Sequence, residues 1–151
     1  MAVKSKKVLI AEDDPSDVFL LQRAFNVAGI AASLHFVRDG QEAIDYLGGD
    51  ANFSDRTTHP LPDLMLLDLK MPRLNGFDVL EWVRKQPGLK RLLVTILTSS
   101  DQANDIDRAY DLGANSYLLK PHGSQELTDL VHRVERYWLE LNQRPASLDG
   151  E

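Results

Sequence analysis

Residues 62–80 read PDLMLLDLKMPRLNGFDVL, and this stretch decides the fold. Leu64 to Leu67 form an apolar run ending abruptly at Asp68. An unbroken apolar run fits a strand buried on both faces of a parallel sheet. After a short turn, Asn75-Gly76 opens a helix-period segment, with Phe77, Leu80 and Val83 on one face and a stop at Pro87-Gly88. A strand, a turn and a returning helix make one βα unit.

The same grammar repeats on either side. Val8 to Ala11 is a first strand, and Asp14 caps a helix with Pro15 at its first position, Asp17 in its acidic first turn and Val18, Leu21 and Phe25 inward, ending near Gly29. Leu34 to Val37 leads into Asp39-Gly-Gln-Glu42, a capping-box-like start, with Ala43, Ile44 and Leu47 inward. Leu93 to Leu97 is followed by a helix that starts after Ser100, uses Ala103, Ile106 and Tyr110, and stops at Gly113. Ser116 to Leu119 precedes a last helix over 124–141, with Leu127, Leu130, Val131, Val134, Trp138 and Leu141 at helical spacing. Five alternating strands and helices predict an α/β fold, a doubly wound (βα)5 parallel sheet with helices on both faces.

Composition bounds the rest. The chain has 151 residues, 43% hydrophobic and 26% charged, enough for one domain with its own core. We expect a flexible leader at 1–6, the domain at 7–141 and a loose tail at 142–151, with no further domain. The polar stretch 48–62 reads as a long loop. No cysteine is present, which excludes disulfides, thiolate metal sites and cysteine nucleophiles. No run approaches the length of about 18 apolar residues that a membrane span needs. Net charge is −6, unlike the basic face of a nucleic-acid binder, and Lys4, Lys6 and Lys7 read as a solvated start. The expectation is a cytoplasmic protein that binds neither membrane nor nucleic acid.

In open α/β sheets, ligands bind beyond the carboxyl ends of the strands. Those ends carry Glu12-Asp13-Asp14, Asp68, Thr98-Ser99-Ser100 and Lys120-Pro121. Singly, each has a plain reading: a helix cap, a turn residue, a hydroxyl cap, a common lysine. Together at one edge they suggest a site. Neighbouring carboxylates repel unless a cation is present, and a hard divalent ion takes such oxygen ligands. A carboxylate also serves as a covalent nucleophile toward phosphorus, with positioning and charge neutralisation supplying the catalysis. No G-x-x-x-x-G-K-[ST] and no G-x-G-x-x-G follows the first strand, which disfavours nucleotide and flavin binding.

The segments VLIAEDDPSD, PDLMLLDLKMPRLNGFDVL, VTILTSS and GANSYLLKP resemble the motif blocks of the receiver domain of two-component response regulators, over residues 7 to about 141. The resemblance implies the flavodoxin-like strand order 2-1-3-4-5. It implies Asp68 as the phosphoacceptor, giving a 4-aspartylphosphate, and Mg²⁺ (with Mn²⁺ as a substitute) held by Asp13, Asp68, the Lys70 backbone carbonyl and, through water, Glu12. It further implies Thr98 and Lys120 as the groups that meet the phosphoryl oxygens, Tyr117 as the switch aromatic, and a cis Lys120–Pro121 bond. The loop at 48–62 and the ending VERYWLELNQRP are similar to single-domain regulators that pair with phytochrome-type histidine kinases. A sensor histidine kinase would then dock near the first helix, at Ser16, Phe19 and Leu20. A homodimer would use the fourth helix, fifth strand and fifth helix, with Tyr137 and Trp138. A phosphorelay component of this kind is a phosphoacceptor that promotes its own phosphorylation and dephosphorylation, and not a free-standing enzyme. An aspartate-dependent phosphatase would carry a second Asp two residues after its nucleophile, where this chain has Lys70. A pseudo-receiver that only binds partners is the remaining alternative.

Overall fold

The computed structural model describes residues 6–148, and the expected leader lies outside them except for Lys6. Five strands form one parallel sheet: β1 (Lys6–Ala11), β2 (Ala32–Val37), β3 (Leu64–Leu67), β4 (Val94–Thr98) and β5 (Ser116–Leu119), in the order β2-β1-β3-β4-β5. Five helices alternate with them: α1 (Pro15–Val27), α2 (Gly40–Gly48), α3 (Gly76–Lys85), α4 (Ala103–Asp111) and α5 (Ser124–Val134). Helices α1 and α5 cover one face of the sheet, while α2, α3 and α4 cover the other. Consecutive side chains of β3 alternate between the two cores, Leu64 and Leu66 on the α1/α5 side, Met65 and Leu67 on the other. That is why the strand has no polar position. Each such buried side chain stabilises the fold by about 1.5–3 kcal/mol.

Local chemistry sets the boundaries. The Asp14 carboxylate accepts from the Ser16 N–H (2.8 Å) and Pro15 starts α1. Asp39 accepts from the Glu42 N–H at 2.7 Å at the head of α2. Asn75 and Asp78 close a reciprocal capping box on α3. Two glycines sit where the backbone is crowded. A Cβ on Gly76 would lie 2.3 Å from the Asp68 carbonyl oxygen, and one on Gly40 would lie 2.0 Å from that of Leu74. The turn after Asp68 is thus clamped between the starts of α2 and α3.

Several expectations are corrected. β2 begins two residues earlier than expected, because Lys6 and Lys7 of β1 pair with Ala32 and Ser33. β4 is shifted by one residue and includes Thr98. In α2, Ile44 packs partly buried against the core as expected, and Tyr46 is buried more deeply; the Tyr46 hydroxyl donates to the Pro60 carbonyl at 2.8 Å and ties down the long loop. Arg56 of that loop donates to the carbonyls of Tyr46, Leu47 and His59, satisfying the end of α2. In α4, Ala109 is the buried residue and Tyr110 is half exposed. The last helix changes register: a π-helical segment, Glu135–Leu141, follows α5. It moves the buried position from Val134 to Leu139, five residues on, and leaves Leu141 exposed. Of the tail expected at 142–151, residues 149–151 lie outside the described residues, and 142–148 make contacts with the domain. Arg144 pairs with Asp63 at 2.6 Å, the Arg91 N–H donates to the Leu148 carbonyl, and Leu148 packs on the core. No peptide bond among the described residues is cis, so Lys120–Pro121 is trans, the form that X–Pro bonds prefer.

Candidate functional site

Strand register brings the candidate residues together. Ala11 pairs with Val37 and Leu67, and Thr98 pairs with Leu119. One residue further on, the Glu12 N–H donates to the Val37 carbonyl (3.0 Å), the Asp68 N–H to the Ala11 carbonyl (3.1 Å), and the Lys120 N–H to the Thr98 carbonyl (2.8 Å). The ladder therefore holds the backbones of Glu12, Asp68 and Lys120 although they lie beyond the strands. Their side chains therefore start from backbone that the sheet holds in place.

The centre is a buried charge cluster. Glu12 is 2% exposed and Asp68 is 6% exposed. The Lys120 ammonium donates to Asp68 Oδ2 (2.9 Å), to Asp17 Oδ2 (2.9 Å) and to Glu12 Oε1. The remaining oxygens of the two buried carboxylates face backbone donors: Asp14 N–H to Glu12 Oε2 (3.1 Å) and Lys70 N–H to Asp68 Oδ1 (3.3 Å). Asp13 is exposed and, among the described residues, makes no side-chain hydrogen bond or ion pair. Asp17 is a site residue that its reading as a helix-start acid concealed. Its only sequence signal is a first-turn position facing back over the strand ends.

Burial pushes the Glu12 carboxyl up to about 7, and its bonds from Lys120 and the Asp14 N–H offset this only in part. Burial also opposes the charge on Lys120, but the bonds to Glu12, Asp68 and Asp17 outweigh it and hold the amine above the ordinary lysine range. The two directions agree physically. One ammonium is shared among three carboxylates, so each carboxylate receives only part of its compensation while the ammonium receives all three.

Glu12, Asp13 and Asp68 each offer a carboxylate oxygen within 4.8 Å of the others. This all-oxygen set, with four acids around one lysine, suits a hard divalent cation. Thr98 is fully buried and its hydroxyl accepts from the Ser100 N–H at 3.5 Å. Ser100 is not the cap of α4, which begins after Gln102; its hydroxyl instead donates to Asp105 at 2.6 Å. The Tyr117 hydroxyl donates to the Ser100 carbonyl at 2.8 Å, and burial raises its pKa. Away from this centre, Phe19 is 62% exposed on α1, beside exposed Leu20. Tyr137 and Trp138 stack edge to face at 4.9 Å and border an open groove of about 600 Å³ with Leu118, Leu130 and Val134. Among the described residues no helix is long and apolar enough to cross a membrane.

Comparison with known proteins agrees with this geometry. The response regulator receiver domain family matches residues 8–132. Response regulator Rcp1 of Synechocystis sp. is 34% identical over 94% of this chain and 95% of its own length. A Mn(2+)-bound form of Rcp1 superimposes with a TM-score of 0.83 over 93% of this chain and 99% of its own. The phosphorylated cyanobacterial phytochrome response regulator RcpA is 34% identical, with a TM-score of 0.87 over 95% of this chain and all of its own. RPA3017, a response regulator in red light signalling of R. palustris, is 36% identical, with a TM-score of 0.89 over 94% and 99%. With five strands in the order β2-β1-β3-β4-β5, acids at the ends of β1 and β3 and a lysine after β5, the chain belongs to the response regulator receiver domain family, and is homologous to single-domain phytochrome response regulators.

Proposed function

We propose that the protein accepts a phosphoryl group on Asp68 from a phosphohistidine of a cytoplasmic sensor histidine kinase of the phytochrome type. The observation that carries this reading is the buried Asp68 carboxylate held 2.9 Å from the Lys120 ammonium, within an acidic cluster suited to a divalent cation. An Asp68 carboxylate oxygen attacks phosphorus in line with the phosphohistidine nitrogen. The P–O bond forms as the P–N bond breaks, and the electron pair stays on the imidazole.

Lys120 neutralises charge on the phosphoryl oxygens, and the Thr98 hydroxyl leaves the Ser100 N–H to donate to one of them. Asp13, Asp68 and the Lys70 carbonyl would hold Mg²⁺ directly and Glu12 through water; Mn²⁺ fits the same donors. When bound, the cation supplies charge neutralisation for the transferring phosphoryl group. Movement of Thr98 frees the Ser100 loop on which the Tyr117 hydroxyl rests, and Tyr117 turns inward. The added charge at Asp68 thereby biases the surface of α4, β5 and α5 between two states.

Two surfaces serve partners in this reading. Ser16, Phe19 and Leu20 on α1 meet the kinase, since Phe19 and Leu20 expose apolar area on the helix that carries Asp17 and Ser16 is exposed one position before that residue. The groove bordered by Tyr137 and Trp138 meets a second copy of the chain. The test is transfer of label from a phytochrome-type kinase autophosphorylated on histidine. We expect rapid transfer to the parent protein, none to Asp68→Asn, and slower transfer to Phe19→Asp. Equal labelling of Asp68→Asn would contradict the assignment.

A further inference from the structure

We propose that Asp17 is the positioning residue of Lys120, holding its ammonium over Asp68 while phosphoryl transfer takes place. This rests on the phosphoacceptor reading given above. The Asp17 carboxylate lies in the first turn of α1, where an acid is favourable for the helix dipole alone. Here it does more: its Oδ2 accepts from Lys120 Nζ at 2.9 Å, across 103 residues of sequence. The lysine side chain is mostly buried, and Asp17 is the partly exposed member of the pair.

The argument turns on which of the three acceptors survives the reaction. An ammonium has three donors, and all three are engaged, by Glu12, Asp68 and Asp17. Glu12 and Asp68 belong to the cluster that takes the cation, and Asp68 also becomes esterified. Both must give up or redirect their bonds to Lys120. Asp17 stands outside that cluster and has no other side-chain partner among the described residues. It is the acceptor that remains, so it keeps the long lysine chain in one rotamer while the other two donors pass to phosphoryl oxygens. Ordering a lysine carries a large entropic penalty, and a fixed anchor removes it from the transfer step. The same pair joins the site to α1, the helix that presents Phe19 and Leu20.

The test compares the parent with Asp17→Ala and Asp17→Asn. With acetyl phosphate as donor, Asp17→Ala lowers the maximal rate of Asp68 phosphorylation by about tenfold, the worth of one charge-assisted hydrogen bond. The Mg²⁺ concentration giving half-maximal rate stays that of the parent, because Asp17 holds lysine and not the cation. Asp17→Asn, which keeps an acceptor oxygen, falls between the two. Independently of any reaction, the ¹⁵Nζ signal of Lys120 is sharp in the parent and lost by exchange in Asp17→Ala. A parental rate and a retained Lys120 signal in Asp17→Ala overturn the proposal, as does a rate loss recovered entirely by added Mg²⁺. A parent that shows the sharp Lys120 signal yet takes no phosphoryl group overturns the phosphoacceptor reading itself, and the proposal with it.

Discussion

The two ends of the sheet solve the problem of buried charge in opposite ways. At the amino end, Arg84 is half-buried and donates to the carbonyls of Gly113, Leu92 and Lys90 and to Asn115 Oδ1, at 2.7–3.0 Å. Arg56 caps the end of α2 in the same manner, and Arg144 pairs with Asp63. Arg84 and Arg56 each meet several backbone carbonyls, among them those of Tyr46 and Leu47 at the end of α2, and no acid crowds them. At the carboxyl end the balance is reversed. Glu12, Asp17 and Asp68 share Lys120, Asp13 lies beside Glu12 and Asp68, and among the described residues no second ammonium or guanidinium pairs with any of the four. One end is built for stability; the other withholds part of the compensation that a cation and a phosphoryl group would change.

The amino end should give the largest stability effect and the smallest functional one. Arg84→Ala orphans several carbonyls and an amide oxygen, and is expected to destabilise the fold by about 3 kcal/mol. Denaturant unfolding measures this, while phosphorylation of the still-folded protein stays parental. Loss of phosphorylation at a temperature where the variant is folded would show that the two ends are not separable.

The carboxyl end should respond to cations. Mg²⁺ at about 100 times its dissociation constant adds about 2.7 kcal/mol of stability, seen as a higher melting temperature. Asp13→Asn should weaken that rise without lowering the metal-free melting temperature, because Asp13 has no partner to lose. No Mg²⁺ effect in the parent would remove the cation from the account.

The smallest effect concerns protons. In the metal-free protein the Glu12 carboxyl lies near 7 instead of 4.5, so between those values the folded state binds more protons than the unfolded chain. Stability from this group is therefore full below about 4.5 and declines as pH rises toward 7. Urea midpoints of the parent relative to Glu12→Gln should fall across that window in a chelator. A parent that gains on Glu12→Gln as pH rises would mean that Lys120 compensates Glu12 fully.

Much of this contrast is legible in the sequence because it depends on short-range pattern. The apolar runs of β1, β3 and β4 name buried parallel strands, and the polar residue ending each run names the site. Helix starts at Asp14, Asp39 and Asn75 are equally local. What escapes is long-range. Asp17 reads as a helix-start acid until the fold places Lys120 beside it. Tyr46 looks no more inward than Ile44 until Pro60 returns to accept its hydroxyl. Residues 142–148 look like a polar tail because the partners Asp63 and Arg91 lie far away in sequence. The π-helical register at 135–141 is hidden for another reason: apolar residues at 134, 138, 139 and 141 suit either helical period.

Asp68 is proposed as the reactive carboxylate of this end. That role is tested most directly by weighing the intact protein after incubation with acetyl phosphate and Mg²⁺, beside Asp68→Asn and a chelated control. One added phosphoryl group is expected on the parent, and none on Asp68→Asn or in the chelator. A folded parent that gains no mass, or an Asp68→Asn protein that gains as much, would contradict it.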